Sequence, residues 1–408
     1  MEFGCIGEHL SHSFSKEIHA LLQDYAYALK ELSPEQLEGF LKAGQFKAIN
    51  VTIPYKQAVL PYLAYLDPMA EAIGAVNTIV NRSGALYGYN TDFGGMADLI
   101  RHTGIQVEGK KVLIFGTGGT SKTALAVAAH LGAREAIRVS RTEKPDTVTY
   151  EAVLQDHLDS QVLINTTPKG MYANQGGMPM DPGLFPNLCG VIDAVYNPLR
   201  TEFVRKAQAL GVPAAGGLYM LVRQAVLASE LFLDTKYPDA TTEAVYEKIR
   251  KSKENIVLTG MPGSGKTTVG KALAQTMNRP YFDTDELIEE TYGATPAQIL
   301  QTQGQAAFRD MESSVIRELS QKTGCILSTG GGAILRKENV ELLRANGKLV
   351  FLDRPLELLI PTQDRPLSAT REAMTQRYQE RYPIYLATAD AVIQNRTTPE
   401  AAVKEILK

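Results

Sequence analysis

The stretch NIVLTGMPGSGKTTVGKALAQTM (255–277) decides the fold of the second half of the chain. Its apolar run leads into GMPGSGKT (260–267), which matches G-x-x-x-x-G-K-[ST] with Gly260, Gly265, Lys266 and Thr267 in place. A helical pattern follows. Strand, Gly-rich loop and helix together are the setting in which backbone N–H groups curl around a polyphosphate and the helix N-terminus adds a favourable dipole. Lys266 is spaced to reach the β/γ-phosphates, and the Thr267 hydroxyl to ligate Mg²⁺. Gly263, Ser264, Gly265 and Thr268 complete the nucleotide cradle. A chance Gly-rich turn would lack this context.

Working outward, 408 residues are enough for about two to three domains. With 44% apolar and 21% charged residues the chain reads as an ordinary globular protein. The net charge of −3, with both signs interspersed, argues against a nucleic-acid surface or an acidic-membrane surface. Cys5, Cys189 and Cys325 are scattered, with no C-x-x-C, so neither a zinc site nor a disulfide framework is expected. A reducing cytoplasm is expected. MEFGCIGEHL has no basic flank and no apolar core, so no secretory leader is expected. The longest apolar run, LYMLVRQAVLASELFL (218–233), is broken by Arg223, Gln224 and Glu230 and does not read as a membrane span.

Short apolar runs alternate with helical patterns along the chain. KVLIF (111–115), QVLIN (161–165), GVIDA (190–194), NIVLTG (255–260), GCILST (324–329) and KLVFLD (348–353) read as strands covered on both faces. The class is α/β, with parallel sheets. TKYPDATTEAVYEKIRKSKEN (235–255) reads as a last helix and a short polar linker, with the next domain starting near Glu254.

After the phosphate loop there is no N-K-x-D for guanine. YFDTDELIEE (281–290) instead places Asp283 and Asp285 at the end of a short strand, where two carboxylates can position Mg²⁺ and an acceptor hydroxyl. FRDMES (308–313) follows with Arg309 and Glu312, then TGGG (329–332), DRPL (364–367) and ERYPIY (380–385) with Arg381. In this order and spacing the motifs resemble shikimate kinase over about residues 254–408. Each arginine alone would read as an ordinary surface residue; the order of motifs decides. The resemblance implies transfer of the ATP γ-phosphate, with Mg²⁺, to a shikimate hydroxyl. It implies that Arg309 and Arg381 bind the shikimate carboxylate, aided by amides at Gly331 and Gly332. Planar cationic forks suit a small carboxylate. It also implies that Asp285 holds the acceptor hydroxyls and assists deprotonation, that Asp283 lies near Mg²⁺, and that Arg365 closes over the transferring phosphoryl. The lid segment LDRPLELLIPTQDRPL (352–367) is shorter than the family's, with Ile360 and Pro361 where a polar lid is expected.

In the first half, KVLIFGTGGTSKTALAVAAHL (111–131) reads as strand, Gly-rich turn and helix. Gly116, Gly118 and Gly119 fit a dinucleotide loop, with Ser121 where Gly or Ala is usual. The next strand ends in Ser140-Arg141-Thr142. An NAD site wants an acidic residue there; Arg141 suits the 2′-phosphate of NADP. Around this loop stand SHSFS (11–15), NVTIPYK (50–56), GAVNTIV (74–80), YNTDFGG (89–95), NTTPKGM (165–171), DAVYNPLRT (193–201) and GLYMLVRQA (217–225). NVTIPYK reads as an apolar strand ending in Lys56. Together these resemble shikimate dehydrogenase over about residues 1–250. The resemblance implies NADPH-dependent reduction of 3-dehydroshikimate to shikimate. Ser13 and Ser15 would bond the substrate carboxylate; Thr52, Asn77, Tyr196 and Gln224 would hold carboxylate and ring hydroxyls. Thr166 and Met220 would border the nicotinamide, and Gly217 would be among the cofactor-binding residues. Lys56 and Asp92 would form the catalytic pair: hydride delivery builds negative charge on oxygen, and an ammonium oriented by a carboxylate stabilises that charge and supplies the proton.

The expected architecture is therefore a substrate domain over 1–100 completed by helices over 218–250, a Rossmann NADP-binding domain over 101–217, and a P-loop kinase domain with a parallel sheet over 254–408. The expected partners are small molecules, neither nucleic acid nor membrane, and the sequence leaves the oligomeric state open. Two other readings stand beside this one. A quinate/shikimate dehydrogenase with relaxed cofactor use is opposed by Arg141. A ligand-sensing regulator built from inactive copies is opposed by the presence of Lys56, Asp92, Lys266, Asp283, Asp285 and Arg309.

Overall fold

The computed structural model describes residues 1–10, 13–171, 177–360 and 370–408. The chain divides into two compact units, with the division between Arg250 and Lys251.

The first unit carries two six-stranded sheets. The first contains β1 (Phe3–Gly7), β2 (Tyr27–Glu31), β3 (Ala48–Val51), β4 (Tyr65–Leu66), β5 (Thr78–Arg82) and β6 (Ala85–Tyr89), in the order β2-β1-β3-β5-β6-β4. β1 pairs parallel with β2 and β3, but β5 runs antiparallel to both β3 and β6. This sheet is mixed for a local reason. Only Ser83 and Gly84 separate β5 from β6, at φ 54° and 91°. Such a loop closes a two-residue hairpin and is far too short for a parallel crossover. Helix Leu218–Leu233 returns to this sheet, packing Ala228 and Phe232 on Phe3, Cys5, Tyr27 and Val80.

The second sheet contains β7 (Lys111–Phe115), β8 (Glu135–Ser140), β9 (Thr147–Thr149), β10 (Val162–Asn165), β11 (Gly190–Asp193) and β12 (Ala214–Ala215). It is parallel throughout, in the order β12-β11-β10-β7-β8-β9. Alternate residues of its strands feed two cores. Val112, Ile114, Val162 and Ile164 face one; Leu113, Phe115 and Leu163 face the other. Double coverage explains why these strands read as unbroken apolar runs. The order reverses direction at β7, and a crevice beyond the carboxyl ends of strands at such a point is where α/β sheets bind ligands.

The second unit is built on one five-stranded parallel sheet of β13 (Asn255–Thr259), β14 (Tyr281–Asp283), β15 (Ile326–Ser328), β16 (Gly347–Asp353) and β17 (Ala391–Gln394), in the order β14-β15-β13-β16-β17. β13, which feeds the phosphate loop, is central. The helix expected within 235–255 spans Ala240–Lys253 and leaves Glu254 alone before β13, so the short linker expected after it is reduced to one residue. All three cysteines are free thiols. Burial pushes the Cys5 thiol up to about 12 and the Cys325 thiol up to about 11, while Cys189 is half-buried. Among the described residues no helix is long and apolar enough to cross a membrane.

Candidate active sites

Lys56 does not stand on a strand end. β3 stops at Val51, Pro54 has no N–H to donate to a ladder, and the Tyr55 N–H donates to the Thr52 carbonyl at 2.9 Å. The chain turns, and the turn carries Lys56 to Asp92, Nζ to Oδ2 at 2.6 Å. Asp92 lies in the first turn of helix Thr91–His102, capped by Asn90, where the helix dipole favours a carboxylate. The Asn77 amide donates to Asp92 Oδ1 at 2.9 Å and to Gln224 Oε1 at 3.4 Å, and Asn77 Oδ1 accepts from the Thr91 N–H at 2.8 Å. Gln224 comes from helix Leu218–Leu233. That helix approaches Thr91–His102 closely because Gly95 has no side chain; a Cβ there would lie 2.8 Å from the Met220 carbonyl oxygen. Lys56, Asp92, Asn77 and Gln224 thus meet in one network. The side chains of Lys56 and Asp92 are only 17% and 8% exposed, so their attraction is weakly screened.

Ser13 donates to Ser15, Oγ to Oγ at 3.0 Å. Phe14, between them, packs edge-on against the ring of Tyr196 at 5.3 Å and joins a core with Leu218, Val222 and Ala225. Thr52 stands at the end of β3 beside Gly7, and its N–H donates to the Ile6 carbonyl at 2.9 Å. Asn50, the first residue of NVTIPYK, had no role assigned from the sequence. Its amide donates to the Asn77 carbonyl at 3.3 Å and to Thr78 Oγ1 at 3.2 Å, bracing the residue that holds Asp92.

The dinucleotide loop meets the Lys56 stem: a Cβ on Gly119 would lie 3.9 Å from Lys56 Cδ. Gly116 has φ 119°, and a Cβ there would lie 2.5 Å from Thr166 Oγ1, so the position takes glycine. Gly118 starts helix Gly119–His130, and the space beside its Cα is open. Ser121 is fully buried and donates to the Gly118 carbonyl at 2.7 Å, which explains how a hydroxyl replaces the usual Gly or Ala. Thr166 donates to the Phe115 carbonyl at 2.7 Å. Gly217 presses its backbone on the Ala194 carbonyl, and Met220 is buried beside Ile114, Ala124 and Ile192. Ser140 is buried at the end of β8, whereas Arg141 and Thr142 are exposed. Lys144, another residue without a motif, reaches Thr117 Oγ1 at 3.3 Å and brings a second cation to the loop. An open cradle, a helix N-terminus and two cations fit a phosphorylated dinucleotide. Deeper in, Asp193 at the end of β11 accepts from Asn165 at 2.9 Å, the Val195 N–H at 3.0 Å and the Thr201 hydroxyl at 2.6 Å; burial pushes its carboxyl up to about 7.

In the second unit, Gly263 and Gly265 adopt φ 80° and 90°, giving the phosphate loop its curl. Lys266 Nζ donates to the Gly260 and Met261 carbonyls at 2.9 and 3.1 Å, and Thr268 follows in the first helical turn. Ser264 is buried. Thr267 donates to Asp283 Oδ2 at 3.1 Å, and Tyr281 donates to the same oxygen at 2.9 Å. A hydroxyl and a carboxylate beside a phosphate loop fit Mg²⁺, which takes few protein ligands and fills its shell with phosphate and water.

The acceptor residues converge on the TGGG turn. A Cβ on Gly330 would lie 2.6 Å from Glu312 Oε1 and 3.0 Å from Asp285 Oδ1. The Arg309 guanidinium lies against the backbone of Gly332, leaving no room for a side chain there. Arg309 pairs with Glu312 at 2.5 Å, and Arg381 donates to the Gly331 carbonyl at 2.9 Å. Burial raises the Glu312 pKa, and Arg309, Arg381 and Arg336 oppose that rise. Arg377 joins the cluster from one helical turn before Arg381; burial and repulsion from Arg381 lower its pKa. The inward spacing of Met374, Arg377, Tyr378, Arg381 and Tyr385 was the available signal for it. Arg365 lies outside the described residues.

Comparison with known proteins agrees with both halves. The family model for the shikimate dehydrogenase substrate binding domain matches residues 5–79, and that for shikimate kinase matches residues 262–408. The shikimate dehydrogenase (NADP(+)) of Clostridium beijerinckii is 35% identical over 264 residues, spanning 60% of this chain and 97% of that protein. Among solved structures, shikimate dehydrogenase 1 from Peptoclostridium difficile is 38% identical with a TM-score of 0.56, covering 61% of this chain and 98% of its own. A shikimate 5-dehydrogenase from Thermus thermophilus, solved in complex with NADP(H) and shikimate, is 29% identical with a TM-score of 0.55, covering 61% of this chain and 99% of its own. With the Lys56–Asp92 pair beside a dinucleotide loop in one unit and a phosphate loop beside an arginine-lined turn in the other, the chain belongs to the shikimate dehydrogenase family through its first unit and joins to it a shikimate kinase domain.

Proposed function

We propose that the chain reduces 3-dehydroshikimate to shikimate with NADPH and phosphorylates shikimate to shikimate 3-phosphate with Mg²⁺ and ATP. The observation that carries this reading is the Lys56–Asp92 contact at 2.6 Å with the Lys56 stem against Gly119 of the dinucleotide loop. When bound, the reduced nicotinamide supplies the hydride and ATP supplies the phosphoryl group. Lys56 protonates the carbonyl oxygen as charge builds on it, and Asp92, held by Asn77, keeps the ammonium aimed. Ser13, Ser15, Thr52, Tyr196 and Gln224 hold the substrate carboxylate and hydroxyls, and Arg141 with Lys144 takes the 2′-phosphate. In the kinase, Arg309, Arg377 and Arg381 draw in the acceptor carboxylate, Asp285 orients its hydroxyl, Thr267 and Asp283 serve the metal, and Lys266 and Arg365 offset charge on the phosphoryl group. Three free thiols support a cytoplasmic location.

The test is to supply 3-dehydroshikimate, NADPH and Mg-ATP and to identify products by mass. Lys56→Ala should abolish reduction and leave phosphorylation of added shikimate; Lys266→Ala should do the reverse. Loss of both steps in one folded variant would sink the two-site reading.

A further inference from the structure

Asn395 follows β17 at the carboxyl ends of the strands, in none of the motifs of the kinase half. Its backbone N–H donates to the Asp353 carbonyl at the end of β16, at 2.9 Å. Its side-chain Nδ2 donates to the Ser264 carbonyl, inside the phosphate loop, at 2.7 Å. The residue is 3% exposed. The same nitrogen would lie 2.8 Å from a Cβ on Gly265, so the amide fits beneath the loop because Gly265 is bare. The Ser264 hydroxyl does not brace the loop: it is buried and has no hydrogen-bond partner among the described residues.

The geometry of a peptide gives this contact a direction. In a trans peptide the carbonyl and the following N–H point to opposite sides. Holding the Ser264 carbonyl against Asn395 therefore turns the Gly265 N–H away from Asn395. With Gly263 and Gly265 both left-handed, successive N–H groups of this kind form an anion-binding concavity. The brace is itself anchored. Helix Pro399–Ile406, which follows Asn395, packs Ala402 and Val403 on Val269, Leu273 and Ala274 of the helix that the loop starts.

We propose that Asn395 is a positioning residue for the nucleotide: it fixes the Ser264–Gly265 peptide so that the loop holds its phosphate-binding form before nucleotide arrives. The proposal rests on reading residues 260–267 as the nucleotide loop.

The experiment measures ADP binding to the full chain by calorimetry. Asn395→Leu keeps the volume and removes the donor. ADP affinity should fall about tenfold or more, because a buried carbonyl loses its partner. The KM for ATP should rise likewise, with kcat at saturating ATP near that of the parent and dehydrogenase activity unchanged. Asn395→Asp is isosteric, and only its protonated carboxyl can donate to Ser264. Its ADP affinity, relative to the parent, should climb as pH falls from about 8 to about 6, since burial beside phosphates raises a carboxyl pKa. If the leucine variant unfolds, this pH profile decides. Parent-like ADP binding by Asn395→Leu, or an Asn395→Asp profile parallel to the parent's, overturns the proposal. Lys266→Ala separates the two layers: parent-like ADP binding there sinks the loop reading itself, whereas loss there with silent Asn395 variants sinks only the role of Asn395.

Discussion

Arg141 is one exposed guanidinium at a strand end, and in the proposed function the choice between two nicotinamide cofactors rests on it. NADP differs from NAD by a ribose 2′-phosphate, and a charge-assisted hydrogen bond to that group exists for only one of them. Arg141→Ala should raise the KM for NADPH about ten- to a hundredfold and leave NADH nearly unchanged, as steady-state kinetics with both cofactors will show. Equal losses would make Arg141 structural. The sequence offers it as a candidate because it stands at a fixed place after a Gly-rich turn. Lys144 was not legible, because its link to Thr117 depends on how the loop after β8 folds back. Asn395 was less legible still: 131 positions separate it from Ser264. Short motifs record what must lie close along the chain, and braces arriving from elsewhere leave no such record.

At the scale of elements, the central strands of the second and third sheets were legible because burial on both faces demands unbroken apolar runs, as in KVLIF and KLVFLD, whereas the edge strands β9, β12 and β17 are short, less buried and left no such run. The first sheet was harder. NVTIPYK read as a strand to its lysine, yet the proline and the Thr52–Tyr55 bond end it early. The end of β11 offers a test of burial. Asp193 titrates near 7 in the folded chain against an ordinary 3.8. Folding therefore favours the protonated carboxyl. That contribution is complete below about pH 4 and is lost as pH rises through about 7. A shift of three units corresponds to roughly 4 kcal/mol. Asp193→Asn carries no charge, and the Thr201 hydroxyl can accept from its amide as readily as it donates to the carboxylate. The Tm of the transition that NADP⁺ raises should fall between about pH 5 and 8 in the parent by several degrees more than in the variant. Parallel curves would mean that Asp193 stays charged throughout.

At the scale of the molecule, two Gly-rich loops, each opening its own strand and helix, made two nucleotide sites legible. The lid expected around Arg365 lies outside the described residues. Helix Ala240–Lys253 belongs to the first unit as far as Arg250, and only residues 251–254 lie between that point and β13. Shikimate is small and stable in water, so release and recapture is the simplest route between the sites. With isotopically labelled 3-dehydroshikimate and a pool of unlabelled shikimate, the label in shikimate 3-phosphate should be diluted by the pool and appear after a lag. Undiluted label would mean direct transfer. The burial of the thiols has a practical side. A thiolate, not a thiol, attacks a disulfide reagent, and two of the three sulfurs are both walled in and held protonated. Titration with a chromogenic aromatic disulfide should release one equivalent from the native chain and three in denaturant. Cys189 would then be a ready-made single attachment point for a fluorophore, and Cys5 and Cys325 should stay reduced through long handling in air.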